Sequence, residues 1–339
     1  MLQLKNERDA DRADVNAYIL RDRVTSRRTL ARRLIPAGMY RREMVRRWVI
    51  DKAELAGITI GLAATFPERE QAFRLVHDAY VARGIMVPMR SGMKFSPHHV
   101  LPGTTTFIAQ RAGRVLGTIS LVEDSPIGLP MEAVHAAEVA TLRHAGRRFA
   151  EVSTLSIAQD VRGRGVSLLL YNALFRWARR HRLIEDLVIA VHPKMREFYC
   201  HGLLFECLGP TREYGALNRA LSTPLRIDLT TAPSRYRDTY DRGDMGIEIA
   251  ERRTNLYRFF VEDVLDYVHL PRFEKLPFAL SSPPLWSEGD VKSYIAECCV
   301  DMASLTRQVR RYLAAVYPGI ELLASNSRGA DDLRRLASW

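Results

Sequence analysis

The side chains able to do chemistry gather in one stretch of this chain, with one tyrosine downstream of it. Residues 151–167 read EVSTLSIAQDVRGRGVS. Glu151 to Ile157 alternates as a strand does, Gln159-Asp160 breaks the pattern, and Arg162-Gly163-Arg164-Gly165 turns the chain. From Val166 onward Leu169, Leu170, Ala173, Leu174 and Trp177 recur at helical spacing. A strand feeding a glycine-rich turn that opens a helix suits an anion. Gly163 and Gly165 let the backbone bend and approach closely. The first N–H groups of a helix have no partner within it and lie at its positive end. Glu151 and Ser153, on the strand just ahead, would flank whatever the turn holds. A carboxylate there could accept a proton, and a hydroxyl could order a water or a substrate carboxylate. Tyr199 carries a phenolic proton that it could donate. Each residue also has a plainer reading. Glu151 could pair with Arg147 or Arg148, Phe198 and Tyr199 could fill a core, and the glycines could form only a turn.

The turn fits neither GxxxxGK[ST] nor GxGxxG. It fits [RQ]xxGx[GA], with Arg162 first, Gly165 fourth, and Ser167 where Gly or Ala is usual. That pattern resembles the acyl-thioester loop of the GNAT acetyltransferase superfamily. A second stretch, Glu197-Phe198-Tyr199-Cys200-His201-Gly202-Leu203, resembles the superfamily's helix ending in FYxxxGF, with Leu203 replacing the last phenylalanine. Gly202 reads there as a left-handed helix stop. Upstream, Gly128-Leu129-Pro130-Met131, Leu142-Arg143, Gly146-Arg147-Arg148 and Ala150-Glu151-Val152-Ser153 form a progression. It resembles the long-chain N-acyl amino acid synthases of the FeeM type, GNAT relatives of the acyl-homoserine lactone synthases. The resemblance spans about residues 58 to 230.

It implies a GNAT-like α/β fold, a mixed central sheet flanked by helices. The amides from Arg162 through Gly163, Arg164 and Gly165, with Val166 and Ser167, would grip the phosphate of a phosphopantetheine thioester. No cofactor would be bound permanently, and no metal. The donor would be an acyl carrier protein or acyl coenzyme A, the group moved a long fatty acyl chain, and the acceptor an amino acid. Glu151 would be the general base, Ser153 would order a water or the acceptor carboxylate, and Tyr199 would protonate the departing thiolate. Phe107, Ile119, Leu121 and Leu155 are candidate walls for the acyl chain. Two other readings stand beside this one: an acetyl-coenzyme-A-dependent N-acetyltransferase of a small amine or protein, and a nucleic-acid-binding regulator that keeps the fold. Nothing marks the S-adenosylmethionine site of a lactone synthase.

The elements around these residues must position them. The chain has 339 residues, 47% of them apolar, and a net charge of +11. No apolar run approaches the ~20 residues of a membrane helix. The start lacks a secretory pattern, and four cysteines without zinc spacing point to a reduced cytoplasm. Arginines crowd the first fifty residues: Arg21, Arg23, Arg27, Arg28, Arg32, Arg33, Arg41, Arg42, Arg46 and Arg47. They would attract an acidic carrier protein, an anionic membrane surface or nucleic acid. Without interleaved aromatics or a nucleic-acid module, the last ranks lowest. Residues 1–57 read as a basic helical arm, with helices over 16–34 and 39–56. Residues 58–230 read as the acyltransferase domain, and 231–339 as a helical extension with long helices over 246–269 and 291–317. Residues 86–102, rich in methionine and proline, read as part of an acyl-chain lid, with His98 and His99 exposed on it.

Overall fold

The computed structural model describes residues 37–46, 48–50, 53, 55–241, 246–249, 252–262, 286–298, 300 and 305–320. The helix expected over 16–34 and the arginines from Arg21 to Arg33 lie outside them. The chain divides into two compact units, Met1–Arg47 and Trp48–Trp339. In the first, helix α1 (Ala37–Arg46) starts directly after Pro36 and is shorter than the 39–56 segment expected.

The second unit is built on an eight-stranded sheet. Its strands are β2 (Thr59–Leu62), β3 (Thr104–Arg111), β4 (Arg114–Glu123), β5 (Phe149–Ile157), β6 (Asp186–Val191), β7 (Glu206–Cys207), β8 (Arg212–Tyr214) and β9 (Ala220–Asp228). The order is β2-β3-β4-β5-β6-β9-β7, with β8 also on β9. Only β5 and β6 are parallel, because only they are joined through a crossover helix, α4 (Val166–Arg180). Helix α2 (Phe66–Val81) starts at a reciprocal cap, in which Thr65 Oγ1 accepts from Glu68 N and the Glu68 carboxylate accepts from Thr65 N. Helix α3 (Glu132–His144) precedes β5.

The strand alternation decides which helix lies on which face. From Gly117 onward the odd positions of β4 meet α4: a Cβ on Gly117 would touch Val166 and Leu170. Phe107, across from Ile119, lies edge-on to Trp177. Even positions face the other way, where Val122 packs with Met131, Val139 and Leu142, and the Ser156 hydroxyl donates to Leu75 O in α2. This is the mixed, two-faced α/β sheet the sequence predicts. Helix α4 is buried nearly all round. Asn172, Arg176 and Arg180 form its polar stripe and donate to the carbonyls of Phe259 and Val261. The last turn of the 258–262 helical segment thus finds the donors its own backbone cannot supply.

The segment after residue 231 differs from the two long helices expected. Gly246–Ile249 (β10) and Arg252–Asn255 (β11) form a hairpin that pairs with Val49–Ile50 (β1). The second stretch is two helices, α5 (Glu288–Glu297) and α6 (Arg307–Val316), each opened by a hydroxyl cap, from Ser287 and Thr306. Both pack on α2 and on the methionine-rich loop. Met93 and Phe95 are buried there, and Trp286 stacks on Phe73 while Tyr294 stacks on Phe95. Arg69 lies 4.4 Å over Trp286 and donates to the carbonyls of Ala63 and Ala64. The second half of the loop expected as a lid, from Met93 to Leu101, is therefore under cover, while Val87 stays exposed. His98 and His99 are not exposed: His99 is buried between the rings of Phe73 and Phe95, and burial lowers its pKa to about 3 and that of His98 to about 4.

Asp186, fully buried at the start of β6, is held by Arg147 Nε at 2.6 Å and Arg226 Nε at 2.7 Å. Removing one partner leaves a buried carboxylate undercompensated. Arg147→Ala should destabilise the second unit by about 3 kcal/mol in urea unfolding, and a loss under about 1 kcal/mol would show that Arg226 alone suffices.

Candidate active site

Strand β5 carries an extra residue. Ser153 pairs with Ser120 and Ser156 with Thr118, so Thr154 and Leu155 together oppose Ile119. Thr154 has φ +53°, a left-handed conformation that a β-branched residue adopts only at a cost of roughly 1–3 kcal/mol. A hydroxyl chain holds it, with Thr154 Oγ1 donating to Ser120 Oγ at 2.9 Å and Thr106 Oγ1 3.1 Å from the same oxygen. A bulge bends its strand, and the bend shows on the other edge. The β5–β6 ladder runs only through Phe149–Asp186, Ala150–Leu187 and Glu151–Val188. From Val152 onward the two strands run without pairing, and their N–H and C=O groups face a gap between them.

The glycine turn stands at the mouth of that gap. Gly163 has φ +79° and Gly165 φ +92°, so both glycines are required by the backbone. Gly165 is the N-cap of α4, and no side chain caps the helix. The amides of Gly165, Val166 and Ser167 precede the first carbonyl that α4 could offer them. Arg162 folds back, with Nη2 donating to Ile157 O at 3.2 Å, so it braces the end of the strand. Arg162, Gly163 and Arg164 are exposed, Gly165 and Val166 buried, and Ser167 half-buried.

Glu151 and Ser153 lie on the α2–α3 face of β5, paired with Val122 and Ser120. Glu151 is buried, and its Oε2 accepts the Met131 N–H at 2.8 Å. The ion pair weighed for it is absent. Arg147 binds Asp186 and Asp228, while Arg148 donates to Arg182 O and Glu185. Burial without a cation pushes the Glu151 carboxyl up to about 8; the Met131 N–H opposes the shift and Glu132 adds to it. Ser153 is half-buried, and its hydroxyl has no partner among the described residues.

Tyr199 sits in a widened helical turn, Phe198–Gly202, and is buried. Its hydroxyl is hydrogen-bonded to that of Tyr171, from α4. Burial pushes the Tyr199 phenol up to about 12, and the Tyr171 bond draws it back. Gly202 is not the left-handed stop. Leu204, at φ +58°, is, and the Tyr199 carbonyl accepts the N–H groups of both Leu203 and Phe205. Three tyrosines that the sequence did not single out complete the surroundings. Tyr171 is one. The others are Tyr80 at the end of α2 and Tyr214 on β8, both electrostatically coupled to Glu151. Tyr80 also raises the Tyr199 phenol slightly through its charge. Tyr171 lay hidden in the apolar register of α4, and no motif flagged the other two. Phe107, Ile119 and Leu121 are buried on the α4 face, opposite Glu151.

Residues 71–228 match the family described as N-acyl amino acid synthase FeeM. The protein is an acyltransferase. No protein of curated function matches it. Among solved structures, FeeM, an N-acyl amino acid synthase from uncultured soil microbes, is 26% identical over 52% of this chain and 93% of its own, with TM-score 0.47. The acyl-homoserine lactone synthase LasI is 19% identical over 52% and 92%, with TM-score 0.38. The coenzyme-A-dependent lactone synthase BjaI is 17% identical over 58% and 96%, with TM-score 0.39.

The raised Glu151 carboxyl links stability to pH. Between its ordinary value of 4.5 and about 8 the folded acyltransferase holds a proton that the unfolded chain has lost. That contribution is complete below the lower value and disappears as pH rises through the upper one. Glu151→Gln should remove the slope and gain a few kcal/mol on wild type between about pH 5 and pH 9 in urea unfolding. Parallel stability curves would place the carboxyl near its ordinary range.

Proposed function

We propose that this enzyme moves a long-chain fatty acyl group from an acyl carrier protein to the amine of an amino acid, giving an N-acyl amino acid. The observation that carries the reading is Glu151, a buried carboxylate without a cation beside the gap between β5 and β6. The phosphopantetheine arm lies along that gap, its phosphate on the amides of Gly163, Gly165, Val166 and Ser167, with the charge of Arg164 nearby. The acceptor enters on the α2–α3 face, where Ser153 orders its carboxylate or a water. An α-amine is protonated at neutral pH, and Glu151, with its carboxyl near 8, is matched to take that proton. The amine attacks the thioester carbon. The oxyanion that forms is met by unpaired N–H groups of β5 at the bulge, donors already in place. When the tetrahedral intermediate collapses, the C–S bond breaks, and the extra proton on the attacking nitrogen leaves to replace the one that Tyr199 gives up. The Tyr199 hydroxyl is hydrogen-bonded to that of Tyr171; with Tyr171 as the donor in that pair, the proton of Tyr199 passes to sulfur.

Chain length is read by burial. Each CH₂ contributes ~0.8 kcal/mol, so ten carbons beyond acetyl contribute roughly 8 kcal/mol before ordering costs. The arginine-rich arm supplies the charge that draws an acidic carrier protein, and acyl coenzyme A offers the same phosphate to the turn. The anionic membrane surface is a second partner of the arm. The FeeM match favours the fatty acyl reading over acetyl transfer.

The products decide the substrates. Purified enzyme given acyl carrier proteins and acyl coenzyme A of graded length, with pooled amino acids, should yield N-acyl amino acids by mass spectrometry. Acetylated amines alone would sink the long-chain reading. Glu151→Gln and Tyr199→Phe should each lower kcat by roughly 100-fold. Gly165→Asp, which sets a charge and a strained Cβ in the phosphate cradle, should raise the donor KM more than about tenfold; an unchanged KM would move the donor elsewhere.

A further inference from the structure

A single peptide group joins Tyr214 to Glu151. The Tyr214 hydroxyl donates to the Pro130 carbonyl at 3.0 Å. The N–H of the same peptide group belongs to Met131 and donates to Glu151 Oε2 at 2.8 Å. Donation to a carbonyl polarises its amide, so the N–H at the other side becomes a better donor. The loop that carries this peptide is braced on both sides. Arg143 bridges Asp124 at 2.6 Å and Glu132 at 2.7 Å. Glu132 Oε1 also accepts the Leu129 N–H at 2.8 Å. Gly128, at φ +79°, admits that carboxylate, because a Cβ would stand 2.7 Å from Glu132 Oε1. The Pro130–Met131 group is thus a fixed relay.

We propose that Tyr214 is a positioning residue for acyl transfer, acting through the Pro130–Met131 peptide to hold the Glu151 carboxylate and to set the pH at which it loses its proton. The inference rests on the reading of Glu151 as the base. The groups around Glu151 leave few competing titrations. Strands β4 and β6 present Val122 and Val188. Helix α3 brings Glu132, held by Arg143. Helix α2 brings Tyr80, which has Arg83 close by, and β8 brings Tyr214. Burial raises both phenols, that of Tyr214 to about 12. Helix α3 also carries His135, whose pKa burial lowers and whose ring is bonded to Ser222 and Arg212, while the Glu151 carboxyl is pushed up to about 8.

The test is the pH profile of kcat/KM for the full-length enzyme, read beside the ¹³C titration of the Glu151 carboxyl. Tyr214→Phe keeps the ring and removes the donor. The Met131 N–H should weaken, and a weaker bond to the charged form raises the pKa. The acid limb and the carboxyl titration should both move up by about half a pH unit or more. kcat at neutral pH should fall roughly threefold, with the donor KM unchanged. Placing 3-fluorotyrosine at position 214 retains size and strengthens the donor, so both readouts should move down. This variant also decides the matter if Tyr214→Phe does not fold. Glu151→Gln separates the two ideas. If it keeps the acid limb, Glu151 is not the base. If it abolishes the limb while neither Tyr214 variant shifts the carboxyl titration, the relay is overturned.

Discussion

A parallel strand pair that stays joined for three residue pairs and then separates is the constraint on which this enzyme rests. Separation costs backbone hydrogen bonds, and the sheet sustains it by local means. Thr154 is held in a left-handed conformation by the Ser120 hydroxyl. Arg147 and Arg226 clamp Asp186 at the end where the strands still meet. The open edges then offer N–H and C=O groups to an extended ligand, as an unpaired strand edge does. The uncapped start of α4 lies at the same end of β5 as these open edges, and the proposed donor site rests on that adjacency.

The second feature is a buried carboxylate kept without a cation. The nearby arginines are all engaged elsewhere: Arg147 with Asp186 and Asp228, Arg143 with Asp124 and Glu132, Arg212 with Glu138. Glu151 is left with one backbone N–H. A guanidinium at that point would pull the carboxyl down into its ordinary range. The arginines of the FeeM-like segments thus brace the frame and leave the carboxylate alone. The segments around Gly128 and Arg143 meet in the loop that holds Glu151, through Glu132 and the Met131 N–H.

The C-terminal helices have a plain structural effect. Trp286 and Tyr294 close an aromatic cluster over Phe73, Phe95 and His99. That burial fixes the loop that follows α2 and keeps its histidines neutral. A loop rich in methionine and proline suggests a moving lid when read alone, and becomes core once a helix pair supplies the missing apolar partner.

The sequence by itself determined the strand–turn–helix around Arg162 to Ser167, because alternation, glycine placement and helical periodicity are local. Glu151 and Tyr199 are legible as candidates for the same reason, since the motifs around them are contiguous. The sequence could not show that Leu204 rather than Gly202 takes the left-handed turn, nor that residues 246–255 form a hairpin, since strand partners far along the chain decide these. Nor could it show that burial pushes the Glu151 carboxyl up to about 8, or that Tyr214 reaches it through one peptide. Those properties come from desolvation and from which distant groups share a small volume, and only tertiary packing sets either.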